Sequence, residues 1–164
     1  MAEPLLHVEH VSKRFGGLLA VDRASFAAQA GCITALIGPN GAGKTTLFSI
    51  ITGFLPASEG SIVYDGSNIT GEPPHRLARR GIARTFQIVQ PFAGLTVREN
   101  IAVGAHLSRP RRADALAAAS DVARAVGLGE LLDRPAATLT VSARKRLELA
   151  RALAIEPRLL LLDE

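Results

Sequence analysis

Residues Gly38-Pro39-Asn40-Gly41-Ala42-Gly43-Lys44-Thr45 follow the spacing Gly-x-x-x-x-Gly-Lys-Thr, and this run constrains the chain more than any other. Glycines at those positions let a loop curl until its backbone N–H groups converge on one point, which is how backbone amides hold phosphate. The flanking sequence supplies the context such a loop needs. Cys32 to Ile37 is a short apolar run that reads as a buried strand. Lys44 to Phe54 turns helical, with Leu47, Ile50, Ile51 and Phe54 on one face. A helix starting at Lys44 aims its positive dipole end at the same anion. Lys44 adds a full charge near the β- and γ-phosphates of a nucleoside triphosphate, and Thr45 offers a hydroxyl to Mg²⁺.

The remaining elements alternate around this loop. Leu5 to Phe15 and Leu18 to Ala30 are apolar-rich segments separated by Gly16-Gly17, a hairpin signal. Pro56 to Gly60 is turn chemistry, and Ser61 to Tyr64 resumes a strand. After Gly71-Glu72-Pro73-Pro74, a short helix is expected over His75 to Arg80 and a strand over Ile82 to Phe86. Val97 to about Leu132 is rich in alanine and leucine and reads as helices, broken near Arg109-Pro110 and at Gly127 and Gly129. Ser142 to Ile155 is a further helix, with Leu147, Leu149, Ala150 and Leu153 as apolar positions. It stops before Pro157, and Leu159 to Leu162 forms a strand ending in Asp163-Glu164. Strand–helix alternation with an inserted helical block predicts an α/β core carrying a helical subdomain.

Composition limits the classes open to such a chain. Its 164 residues are 48% hydrophobic and 21% charged, the balance of a globular domain. No stretch approaches the roughly 18 apolar residues that span a bilayer. The start, Met1-Ala2-Glu3-Pro4, lacks the basic and apolar regions of a secretory signal. The single cysteine, Cys32, reads as a small core residue and fits a reducing cytoplasm. A formal charge of +4 permits contact with nucleic acid or an anionic membrane but selects neither. The basic residues are scattered apart from Arg109 to Arg112 and Arg144 to Arg146, without interleaved aromatics, so no nucleic-acid partner is expected. Arg144, Lys145 and Arg146 read as a solvated helix face.

Leu159-Leu160-Leu161-Leu162-Asp163-Glu164 is a hydrophobic strand ending in two carboxylates, downstream of the phosphate loop. This makes it a Walker B candidate, with a plain acidic turn as the alternative. Asp163 would hold Mg²⁺ through water, and Glu164 would polarise the water attacking the γ-phosphate.

Four segments occur in order: Gly38-Pro39-Asn40-Gly41-Ala42-Gly43-Lys44-Thr45-Thr46, the Pro56–Gly60 turn, Ala83-Arg84-Thr85-Phe86-Gln87, and Arg146-Leu147-Glu148-Leu149-Ala150-Arg151-Ala152-Leu153. Together they resemble the nucleotide-binding subunit of an ATP-binding cassette (ABC) transporter, over essentially the whole chain. Arg84 to Asn100 most resembles subunits of branched-chain amino acid importers. The resemblance implies a P-loop NTPase core with an N-terminal antiparallel β-subdomain (about 1–95 and 157–164) and an inserted helical subdomain (about 96–156). It implies ATP on Gly38, Pro39, Asn40, Gly41, Ala42, Gly43, Lys44, Thr45 and Thr46, with Phe15 stacked on adenine or, alternatively, packed in the strand core. Gln87 matches the glutamine that reaches Mg²⁺ and the attacking water; a surface glutamine is the alternative. Thr45, Gln87 and Asp163 would organise Mg²⁺, and Lys44, Gln87 and Glu164 would serve catalysis.

Two departures stand out. The signature Leu-Ser-Gly-Gly-Gln aligns with Leu139-Thr140-Val141-Ser142-Ala143, in which Thr140 keeps a hydroxyl and Ser142 reads as a helix cap. Val141 places a β-branched side chain where glycine permits close approach, and Ala143 removes an amide donor. The chain also ends at Glu164, where the family continues to a switch histidine. His7, His10, His75 and His106 all precede Walker B and read as surface or strand residues. The sequence therefore looks like the N-terminal portion of a longer subunit.

The expected function is ATP-coupled solute import, of branched-chain or related amino acids, from the inner face of the cell membrane. A second nucleotide-binding subunit in a head-to-tail dimer, transmembrane permease subunits and, indirectly, a solute-binding protein are the implied partners. The alternative is a nucleotide-binding module without productive hydrolysis. An ABC protein acting on DNA or the ribosome would need a second cassette or coiled-coil arms, and neither is visible.

Overall fold

The computed structural model describes residues 3–86 and 90–163. They belong to two compact units, Met1–Leu77 and Ala78–Glu164.

In the first unit, strands β1 (Leu6–Phe15) and β2 (Leu18–Ala28) form the expected hairpin. With β3 (Glu59–Tyr64) and β4 (Ser67–Asn68) they make an antiparallel sheet in the order β2-β1-β3-β4. Burial follows the pleat: Leu6 and Val8 are buried in β1, while His7 and Glu9 between and after them are exposed. Ile62 and Tyr64 repeat the pattern in β3. The β1–β2 register shifts between Val8 and Val11. His10 and Arg23 there take positive φ, 48° and 43°. Their N–H groups donate to the hydroxyls of Ser25 (2.8 Å) and Ser12 (3.0 Å), so side chains satisfy amides that the interrupted ladder does not.

Helix α1 (Lys44–Ile51) follows the glycine loop, and the first unit ends within α2 (Pro74–Arg79), at Leu77. Leu47, Ile50 and Ile51 are buried as their spacing predicts. Phe54 departs from the expectation. It lies past the helix end and is exposed, because Gly53 turns the chain at φ +75° and its N–H donates to the Ile50 carbonyl. Cys32 to Ile37 is a larger correction. The segment is not a strand, and Cys32, Ile33, Leu36 and Ile37 are exposed. An apolar run becomes a buried strand only between ladder partners, and among the described residues no strand pairs with this one.

In the second unit, β5 (Ile82–Arg84) and β6 (Leu159–Leu161) pair in parallel, with Arg84 opposite Leu161. Both are shorter than expected. Helices α3 (Val97–Ala105), α4 (Arg112–Ala125) and α5 (Val141–Leu153) pack around Val97, Ile101, Leu128 and Leu147, with alanines filling the seams. Small residues bring the helices close: a Cβ on Gly104 of α3 would lie 2.6 Å from the Arg151 carbonyl of α5. Thr96 and Glu99 form a reciprocal capping box at the start of α3. The breaks at Arg109-Pro110 and Gly127 fall where the sequence put them. No helix among the described residues is long and apolar enough to cross a membrane.

Candidate functional site

The glycine loop, where phosphate binding is expected, lies against β2. Gly43 takes φ +85° as the N-cap of α1, and no side chain caps that helix start. A Cβ on Gly43 would stand 2.3 Å from the Ala20 carbonyl oxygen of β2, so glycine is the residue that lets the loop lie against the strand. The loop tightens through the Ala42 N–H donating to the Pro39 carbonyl at 3.2 Å. Lys44 Nζ reaches back across it, donating to the carbonyls of Gly38 (2.7 Å) and Pro39 (2.9 Å). The ammonium is thus already at the mouth of the loop, bridging its own backbone.

Leu19, Val21 and Asp22 of β2, with Leu36, Ile37 and Gly41 to Lys44, line a concavity of about 400 Å³. That volume is within the range of small-molecule sites. Pro39, Asn40, Gly41, Ala42 and Thr45 are exposed around it, while Gly38, Gly43, Lys44 and Thr46 are half-buried. Phe15, at the end of β1, is 45% exposed with Lys13 Nζ 5.2 Å from its ring centroid. It is not a strand-core residue, and its face is held by a cation–π contact.

The acidic end of β6 lies in the second unit. Asp163 is buried, and its carboxylate accepts from the equally buried Arg84 guanidinium at 2.7 Å. Thr85 continues the ladder: its N–H donates to the Leu161 carbonyl (3.0 Å), and its hydroxyl accepts from the Asp163 N–H (3.1 Å). Gln87 and Glu164, the other two candidates here, lie outside the described residues. Sequence reading passed over Arg84 and Thr85 as ligand-holding residues. The available signal was a charged side chain inside the apolar run Ile82-Ala83-Arg84.

The signature segment Leu139 to Ala143 opens α5, with one correction. Thr140, not Ser142, is the N-cap: α5 begins at Val141, and the Thr140 hydroxyl accepts from the Ala143 N–H at 3.3 Å. Ser142 falls inside the first turn, two positions past the cap. Leu139 and Ala143 are buried, whereas Thr140, Val141 and Ser142 are exposed, Val141 at 73%. Replacing Thr140 with alanine is expected to destabilise the second unit by about 1 kcal/mol, and Thr140→Ser to restore most of it. Chemical denaturation of the three proteins checks this.

The basic run on α5 is a largely exposed face, as expected, with Lys145 and Arg146 exposed and Arg144 half-buried. Arg144 donates to the Ala137 carbonyl (2.8 Å) and Arg146 to the Gly127 carbonyl (2.9 Å), so two of the three charges hold loop backbone. Further along α5, Glu148 is buried against Arg151 at 3.2 Å. Burial raises its carboxyl above the usual range, opposed by the Arg151 charge and by a hydrogen bond from the Phe86 backbone. Arg151 stacks on Phe92 at 4.8 Å and donates to the Gln90 carbonyl. The four histidines are exposed, His7 and His10 in β1, as expected.

Comparison with known proteins matches residues 21–164 to the family model described as "ABC transporter". A high-affinity branched-chain amino acid transport ATP-binding protein of Pseudomonas aeruginosa, BraF, is 38% identical, aligned over 100% of this chain and 70% of its own length. The Escherichia coli protein LivG, of the same description, is 40% identical over the same shares. Among solved structures, a nucleotide-free ATP-binding cassette from an ABC transporter superposes with a TM-score of 0.86 at 33% identity, covering 99% of this chain and 69% of that one. A cassette in its ADP conformation gives 0.84 at 33% identity, covering 97% and 68%.

Proposed function

This chain belongs to the ABC transporter family, and from that membership we propose that it is the ATP-binding subunit of an importer of branched-chain or related amino acids. The family couples ATP to solute transport, so a nucleotide-binding module without hydrolysis is the less favoured reading. One observation carries the nucleotide assignment: the Gly43-centred loop folds at the uncapped start of α1 with Lys44 across its mouth. The amino acid assignment is supported by the relatives BraF and LivG, which align along the whole chain and bear that description.

In this reading the loop amides of Gly38 to Thr46 and the Lys44 ammonium bind the β- and γ-phosphates, and Phe15 stacks on the base. Thr45 would offer its hydroxyl, and Asp163 its carboxylate through water, to Mg²⁺; such hard oxygens are the donor chemistry this ion selects. Mg²⁺, when bound with the triphosphate, supplies charge neutralisation to the phosphates. Gln87 orients the attacking water and Glu164 accepts its proton. The Thr140-capped start of α5 presents its first-turn amides to nucleotide on a second copy of the domain, in a head-to-tail dimer. The helical subdomain, about residues 96–156, faces permease subunits at the inner side of the membrane, and a solute-binding protein acts through them.

Glu164→Gln is the direct test of the catalytic part. In the intact protein, ATP turnover is expected to fall at least about 100-fold, the usual worth of a general base, with ATP still bound. Equal, vigorous turnover by both proteins would remove Glu164 from the mechanism.

A further inference from the structure

We propose that Arg84 is a positioning residue for Asp163, holding its carboxylate and balancing its charge so that it can serve the metal–nucleotide complex; this rests on the reading of Asp163 given above. The parallel register brings the two together. Arg84 pairs with Leu161, and because side chains alternate along a strand, Asp163 falls on the same face, one step beyond. There the guanidinium Nη2 lies 2.7 Å from Oδ2, with both side chains about 95% buried, at 5% and 6% exposure.

A carboxylate buried at that depth without a counter-charge is strongly disfavoured, and Arg84 supplies one through a charge-assisted hydrogen bond. The Phe86 ring, 5.2 Å from the guanidinium carbon, adds a second contact that restrains the arginine. Thr85 meanwhile fixes the Asp163 backbone through its hydroxyl. Arg84 therefore sets the direction of the side chain and Thr85 the position of the main chain. Nothing in the phosphate-binding reading uses Arg84 otherwise, and a buried arginine in a three-residue strand needs such a partner.

The test titrates Mg²⁺ against binding of a fluorescent ATP analogue to the intact protein, with an EDTA series as the metal-free reference. Arg84→Met, Arg84→Lys and Asp163→Asn are compared with the parent. Arg84→Met is expected to raise the half-saturating Mg²⁺ about 10-fold, as loss of a ligand's hydrogen-bonding partner commonly does. Binding in EDTA should stay within about 2-fold, a readout that a merely structural role would not spare. Arg84→Lys, which keeps the charge but loses the planar fork, should recover part of the metal response. If Arg84→Met does not fold, Arg84→Gln carries the same comparison with the same expected rise. A Mg²⁺ requirement unchanged in these variants while Asp163→Asn raises it overturns the role of Arg84 and leaves the role of Asp163 standing. An unchanged requirement in Asp163→Asn overturns both. A loss in EDTA as large as the loss in Mg²⁺ makes Arg84 structural and also sinks the proposal.

Discussion

Replacing Gly43 with alanine is expected to disable the loop proposed to bind phosphate and to cost the first unit several kcal/mol of stability. Two physical terms add. Alanine at φ +85° carries a left-handed backbone cost of about 1–2 kcal/mol. Its Cβ would also stand 2.3 Å from the Ala20 carbonyl and 3.2 Å from a Val21 methyl, and relieving such overpacking typically costs about 1–3 kcal/mol more. Backbone cannot yield here as a flexible side chain would, so the loop has to lift off β2, and its amides then cease to converge. Gly41 is the control. It has nearly the same φ, +82°, but open space where a Cβ would go. Gly41→Ala should therefore show the backbone term alone. Thermal unfolding of both variants separates the contributions, and a Gly43→Ala protein as stable as Gly41→Ala would mean that the loop does not rest on β2 as described.

Lys44→Ala should have the larger effect on binding and the smaller effect on stability. A desolvated charge pair broken from one side costs about 2–5 kcal/mol, so ATP affinity is expected to fall about 30-fold or more. Stability should change by only about 1–2 kcal/mol, since what disappears from the unliganded protein is the bridge to the Gly38 and Pro39 carbonyls. Binding by fluorescence titration and unfolding by denaturant read the two quantities separately. Affinity within 3-fold of the parent would show that Lys44 stays on its own loop when nucleotide binds and does not engage phosphate.

That contrast shows where local pattern was informative and where it was not. The helix after the loop, its buried Leu47, Ile50 and Ile51, and the hairpin across Gly16-Gly17 all follow from periodicity and turn chemistry within a few residues. Cys32 to Ile37 had equally strong apolar character, yet it is exposed and unpaired among the described residues, because hydrophobicity does not supply a ladder partner. At the start of α5, Thr140 and Ser142 were both suitable caps by composition. The helix boundary decided between them, and such boundaries shift with packing.

By itself, the sequence determined the glycine loop's helix, the hairpin before it and the family to which the chain belongs. These depend on residue types at short fixed spacings, where backbone freedom, dipole direction and periodicity act locally. Only the tertiary structure decided that Arg84 meets Asp163 across 79 positions, and that Lys44 folds back onto its loop. The Arg84–Asp163 pairing comes from the parallel register of β5 and β6, and a register is set by how strands pack together.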